Sequence, residues 1–93
     1  MIFERFFTAG RKRRAAALVG IEARVLAECP VCRAITDTSH PERLAEADRI
    51  AAEWLVRGDE RLRIFHRDLE AVKRLVRRLV ADSDIHCSCE KSG

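Results

Sequence analysis

Tyrosine is absent from this chain, tryptophan occurs once, and aromatic residues make up only 5%. Proline occurs twice and glycine four times in 93 residues. So few backbone breakers exclude a collagen-like or low-complexity chain and suit long helices. β-Branched residues do not occur in alternating runs, which excludes a sandwich or barrel of regular strands. No apolar run approaches the roughly 18 residues of a membrane span. The short run Ala15–Ile21 is closed at once by Glu22 and Arg24 and lacks the cleavage site of a secretory leader. Glycine-rich phosphate loops, dinucleotide fingerprints and nucleophile–base sets are missing as well. The chain is therefore read as a non-enzyme of the cytoplasm.

What the chain does contain is 47% apolar and 35% charged residues, rich in Arg, Ala and Leu. That composition and length fit a single domain over residues 1–93, of the all-α class. Residues 1–10 read as an amphipathic segment. Ile2, Phe3, Phe6 and Phe7 share one side at helical spacing, with Glu4 and Arg5 opposite, and Gly10 is expected to break the chain there. A first helix is expected over about 12–28, with Leu18, Ile21 and Val25 at three-and-four spacing, ending at Pro30. Ser39-His40-Pro41-Glu42 reads as a capping box opening a second helix over about 40–57. Leu44, Ala47, Ala51, Trp54 and Leu55 form its core side. Gly58 then supplies a left-handed stop, and Asp59 an N-cap. The third helix, about 60–82, carries an unbroken apolar series, Leu62, Phe65, Leu69, Val72, Val76 and Leu79. A cysteine-containing tail, about 85–93, follows.

The four cysteines fall into two close pairs, Cys29-Pro30-Val31-Cys32 and Cys87-Ser88-Cys89. Thiolates so spaced can bite one metal ion, and two pairs supply the four ligands of a closed tetrahedral zinc site. Short connections imply an up-down-up three-helix bundle. Its topology would bring the end of the third helix back to Cys29 and Cys32. The expected ligands are Cys29, Cys32, Cys87 and Cys89, with His86 and His40 as alternates, and Zn2+ as a structural cofactor. An iron–sulfur cluster or a redox-active dithiol remains open on the same residues. The CPVC segment resembles the knuckles of zinc ribbons over four residues. The helical interval after it is unlike a ribbon, so the resemblance implies nothing further.

Net charge is +3, but it is unevenly placed. Arg11, Lys12, Arg13 and Arg14 form one cluster. Arg63, Arg67, Lys73, Arg74, Arg77 and Arg78 form a ridge along the expected third helix. Either could contact nucleic acid or an acidic partner, or be a solvated helix face. Ile2, Phe3, Phe6 and Phe7 could pack on the bundle, or meet a membrane surface or a partner protein. Taken together, the sequence reads as a zinc-stapled helical interaction module, a regulator or adaptor for another protein. The alternatives are nucleic-acid binding through the arginine ridge and redox chemistry at the cysteines. The apolar stripe would serve a homodimer as well as a monomer core.

Overall fold

The computed structural model describes residues 2–85, with residues 2–9 as backbone only. The chain is mostly helical and carries a small two-stranded sheet. The order is α1 (Ile2–Glu22), β1 (Leu26–Glu28), β2 (Ile35–Asp37), a 3-10 turn (Pro41–Arg43), α2 (Leu44–Arg57), a longer 3-10 turn (Glu60–Phe65) and α3 (Leu69–Asp82). No described helix is long and apolar enough to cross a membrane.

Three boundaries depart from the sequence expectation, each for a local reason. First, Gly10 does not break the chain. α1 runs through it as one 21-residue helix, about 31 Å long at 1.5 Å per residue. A single glycine costs a helix only about 1 kcal/mol, and the alanines and arginines around it are good helix formers.

Second, α1 stops at Glu22 and not at Glu28. Arg24 sits at φ +66. Its N–H donates to the Ile21 carbonyl, and the Val25 N–H reaches back to that of Gly20, both at 3.0 Å. This is a Schellman closure with arginine in the place glycine usually holds. Beyond it β1 and β2 pair antiparallel, Leu26 opposite Asp37 and Glu28 opposite Ile35. An all-helical chain was expected. The hairpin corrects that, and it replaces the short connection from which the up-down-up order was argued.

Third, the expected helix 60–82 is two elements. The 3-10 turn ends in left-handed His66 (φ +50) and Arg67 (φ +66). Asp68 then caps α3, its carboxylate accepting from the Ala71 N–H at 3.1 Å. A carboxylate that can take an orphan N–H favours starting a helix over continuing one. The expected capping box at Ser39 does not form either. Ser39 adopts φ +62 and its N–H donates to the Asp37 carboxylate, while Glu42 pairs with His40.

The start and stop at Gly58 and Asp59 are as read. Gly58, at φ +73, ends α2, and Asp59 accepts from the Arg61 N–H. Arg57 and Arg61 both hold the Asp59 carboxylate, and Arg61 lies 3.6 Å over the Trp54 ring. α2 and α3 are antiparallel. Asp48 near the start of α2 takes both guanidinium nitrogens of Arg77, at 2.8 and 2.9 Å, and Leu55 near its end shares a groove with Leu69.

The core is one cluster. α1 supplies Ala15, Ala16, Ala17 and Val19, α2 supplies Ala47, Ile50, Ala51 and Trp54, and α3 supplies Val72, Val76 and Leu79. Leu62 and Phe65 come from the 3-10 turn, and Val25 and Leu26 from the start of the hairpin. The apolar series expected of the third helix thus stays in the core although the helix carrying it is broken.

Candidate metal centre

Leu26 lies against Gly20 and Glu28 pairs with Arg14, so the hairpin runs back along α1 towards its N-terminal half. Its tip is the segment Cys29–Ala34. The Arg33 N–H donates to the Cys29 carbonyl, and the Cys29 N–H to the Ala34 carbonyl, both at 2.9 Å. Pro30 sets φ for the turn between them. Arg33 adopts φ +65, which costs a non-glycine residue roughly 1 kcal/mol or more. The result is a tight knuckle that holds Cys29 half-buried and Cys32 exposed on one turn.

Two arginines flank the knuckle. Arg14 reaches one oxygen of Glu28 at 2.6 Å, and Arg33 approaches the other at 3.6 Å. The Arg14 guanidinium holds the Glu28 carboxyl below its ordinary pKa. The base of the hairpin is fastened separately. The Thr38 hydroxyl donates to the Arg24 carbonyl, the Thr38 N–H to that of Val25, and the Asp37 N–H to that of Asp84. This last bond brings the chain leaving α3 to β2. A cleft of about 430 Å³ lies where they meet, lined in part by Arg13, Ala17, Ile35, Leu79 and Asp84.

From Ala27 to Glu46, twenty consecutive residues, not one side chain is fully buried. A two-stranded hairpin is marginal in water by itself. This one draws its fastening from the bonds at its base and the ion pairs beside its tip.

Of the expected ligands, Cys29 and Cys32 are brought together. His40 is not. It follows Thr38 at the base of the hairpin and pairs with Glu42 at 3.0 Å. Cys87, Cys89 and His86 lie outside the described residues. Among the described residues, no three His, Cys, Asp or Glu side chains gather to hold a metal.

The expected arginine ridge is divided by the break at residues 66–68. Arg63 belongs to the 3-10 turn and Arg67 to the junction, while Lys73, Arg74, Arg77 and Arg78 belong to α3. Several of these charges are occupied. Arg77 is bound to Asp48, Lys73 pairs with Glu70 at 3.6 Å, Arg78 with Asp82 at 3.9 Å and Arg63 with Glu60 at 3.9 Å. Arg67, Arg74, Arg11, Lys12 and Arg13 make no ion pair among the described residues. Sequence reasoning missed the Glu28–Arg14 pair, whose partners are far apart along the chain and meet because the hairpin folds back. Compared with family models, curated proteins and solved structures, the chain matches none.

Proposed function

We propose that this chain is a small interaction module whose hairpin is closed by a structural zinc ion held by Cys29, Cys32, Cys87 and Cys89. The observation that carries the reading is a hairpin with two cysteines on its tip and no fully buried side chain beyond Leu26. Such a segment needs a stabiliser other than apolar burial, and a metal on the knuckle is one.

Chain reach supports the second half of the ligand set. Cys87 follows Asp84 by three positions, a reach of up to roughly 10 Å for extended chain. The same three steps lead from Asp37 along β2 to Ala34 just before it, which bonds Cys29. The Asp37–Asp84 bond therefore starts the tail within range of the knuckle. Four thiolates with no water position suit a structural site.

Native mass spectrometry with metal analysis on untagged protein tests this. One zinc per chain is expected, with a lowered melting temperature on chelation and in Cys32→Ser and Cys87→Ser. A brown protein with visible absorbance would put an iron–sulfur cluster on the same ligands. A folded chain that carries no metal, with both variants melting like the parent, would refute the reading.

A further inference from the structure

The N-terminal half of α1 carries a sequence pattern distinct from that of its C-terminal half. At 3.6 residues per turn, the buried line of α1 runs through Ala23, Val19 and Ala16. Continued backwards it meets Lys12, Thr8 and Arg5. The core stripe thus ends near Ala15. Positions 2, 3, 6 and 7 form a separate apolar stripe, turned by about 130° from that line. Gly10 falls on the same face, three, four and seven residues beyond positions 7, 6 and 3. A Cβ placed there would meet nothing within 4 Å. The face is open at Gly10.

Charge distinguishes this end further. Residues 1–14 hold five basic side chains against one acidic, a net +4, while the whole chain is +3, so residues 15–93 sum to −1. Arg11, Lys12 and Arg13 follow the apolar stripe at successive positions and so spread around the helix as a collar, while Arg14 beside them is held by Glu28. The hairpin, whose Glu28 meets α1 at Arg14, exposes Val31 at 80% and Arg33 on its tip.

We propose that the N-terminal half of α1 docks on an anionic lipid surface. An apolar stripe followed by a basic collar matches the two layers of such a surface. The stripe enters the boundary between headgroups and acyl chains, and the collar meets the headgroup charges. Pairing of two copies through the same stripe would bring two +4 ends together with only Glu4 to offset each. A nucleic acid would answer the collar and leave the Ile/Phe stripe unused. The proposal names the partner of the interaction module, but it does not require the metal.

Co-sedimentation with vesicles tests it, on full-length protein whose metal content is measured in the same samples. The probes are phosphatidylcholine vesicles and mixed phosphatidylcholine–phosphatidylglycerol vesicles. The parent protein should bind the mixed vesicles, weakening as salt rises. Binding to pure phosphatidylcholine should be about tenfold weaker or less still. Phe3→Ser/Phe7→Ser should abolish binding. Arg11→Glu/Arg13→Glu should lower it by about tenfold or more at unchanged melting temperature. The proposal is overturned by a parent protein that ignores anionic vesicles, by one that forms a stable dimer and binds no vesicles, or by a phenylalanine double variant that binds like the parent. It is overturned too if a DNA duplex binds the parent and the phenylalanine variant equally while vesicles bind neither. Protein that is folded, carries no metal and still binds the mixed vesicles would sink the metal reading alone.

Discussion

Gly20→Ala sets two effects of similar size against each other. Gly20 is buried inside α1, where alanine would favour the helix by about 1 kcal/mol. The added Cβ, however, would stand 2.5 Å from Leu26 Cδ1 and 2.9 Å from its Cγ. Two atoms of that side chain would have to move. Leu26 is 2% exposed, wedged where the hairpin leaves α1, so it has no solvent side to swing into. Forcing an extra methyl into such a place costs about 1–3 kcal/mol. The clash should win by about 1 kcal/mol, lowering the melting temperature by roughly 4–8 °C for a domain of this size. The decisive measurement is the same substitution in a Leu26→Ala background. That background is itself destabilised by about 2–5 kcal/mol, but it removes the obstructing atoms. There Gly20→Ala should stabilise by about 1 kcal/mol, so the sign reverses and the thermodynamic cycle couples the two sites. Thermal or urea denaturation of the four proteins reads this out. Stabilisation by Gly20→Ala in the parent, or the same sign in both backgrounds, would refute the close seating of the hairpin on α1.

Asp68→Ala should destabilise by about 1 kcal/mol, because it removes the acceptor for the Ala71 N–H. Were residues 60–82 one continuous helix, the same change would stabilise, so the sign of the melting shift separates the two descriptions. Acid should also weaken the fold. Arg14 lowers the pKa of Glu28, Arg77 that of Asp48, and Arg61 that of Asp59. Each contributes stability that is complete above its unfolded value, about 4, and is lost as pH falls through the lower folded value. The melting temperature should hold from neutral pH to about 5 and decline below about 4; a melting temperature that rises on acidification would contradict those pairings. If the proposed zinc binds, hydrogen exchange should locate its effect. Chelation should speed exchange of the Cys29 and Arg33 amides far more than that of core amides such as Val76, and uniform acceleration would argue against a local staple.

The core was more legible than the elements that carry it. Leu62, Phe65, Val72, Val76 and Leu79 read correctly because burial follows apolar spacing, and 3-10 and α turns space three-residue neighbours similarly. Gly58 and Asp59 were legible because each residue type carries its own backbone preference. The hairpin was not. Its strands are three residues each, too short to show alternation, and the stop before it uses Arg24 where glycine is the usual signal. The break at Asp68 hid inside an uninterrupted apolar series, where only the carboxylate's preference for a cap spoke against a helix. Of the candidate site, the knuckle at Cys29–Cys32 was visible as a proline-stiffened pair. Its partner Glu28–Arg14 was not, because it depends on a fold-back that no local pattern announces.

That fold-back also bears on what kind of ligand the knuckle suits. A zinc ion bound by four thiolates carries a net double negative charge, and such a site is easier to hold beside positive groups than beside negative ones. The acid next in sequence to the knuckle is Glu28, and alone it would oppose the thiolates. It is instead engaged by Arg14 at 2.6 Å and approached by Arg33 at 3.6 Å, so the immediate surroundings sum to one positive charge. Removing Arg14 would therefore affect two things at once. It would loosen the hairpin from α1, and, were the proposed zinc bound, it would leave Glu28 beside the thiolates with Arg33 alone. Arg14→Ala should thus weaken zinc retention against a competing chelator more than Arg13→Ala does, although neither residue is a ligand. Equal retention in the two variants would mean that Arg14 fastens the hairpin without serving the metal.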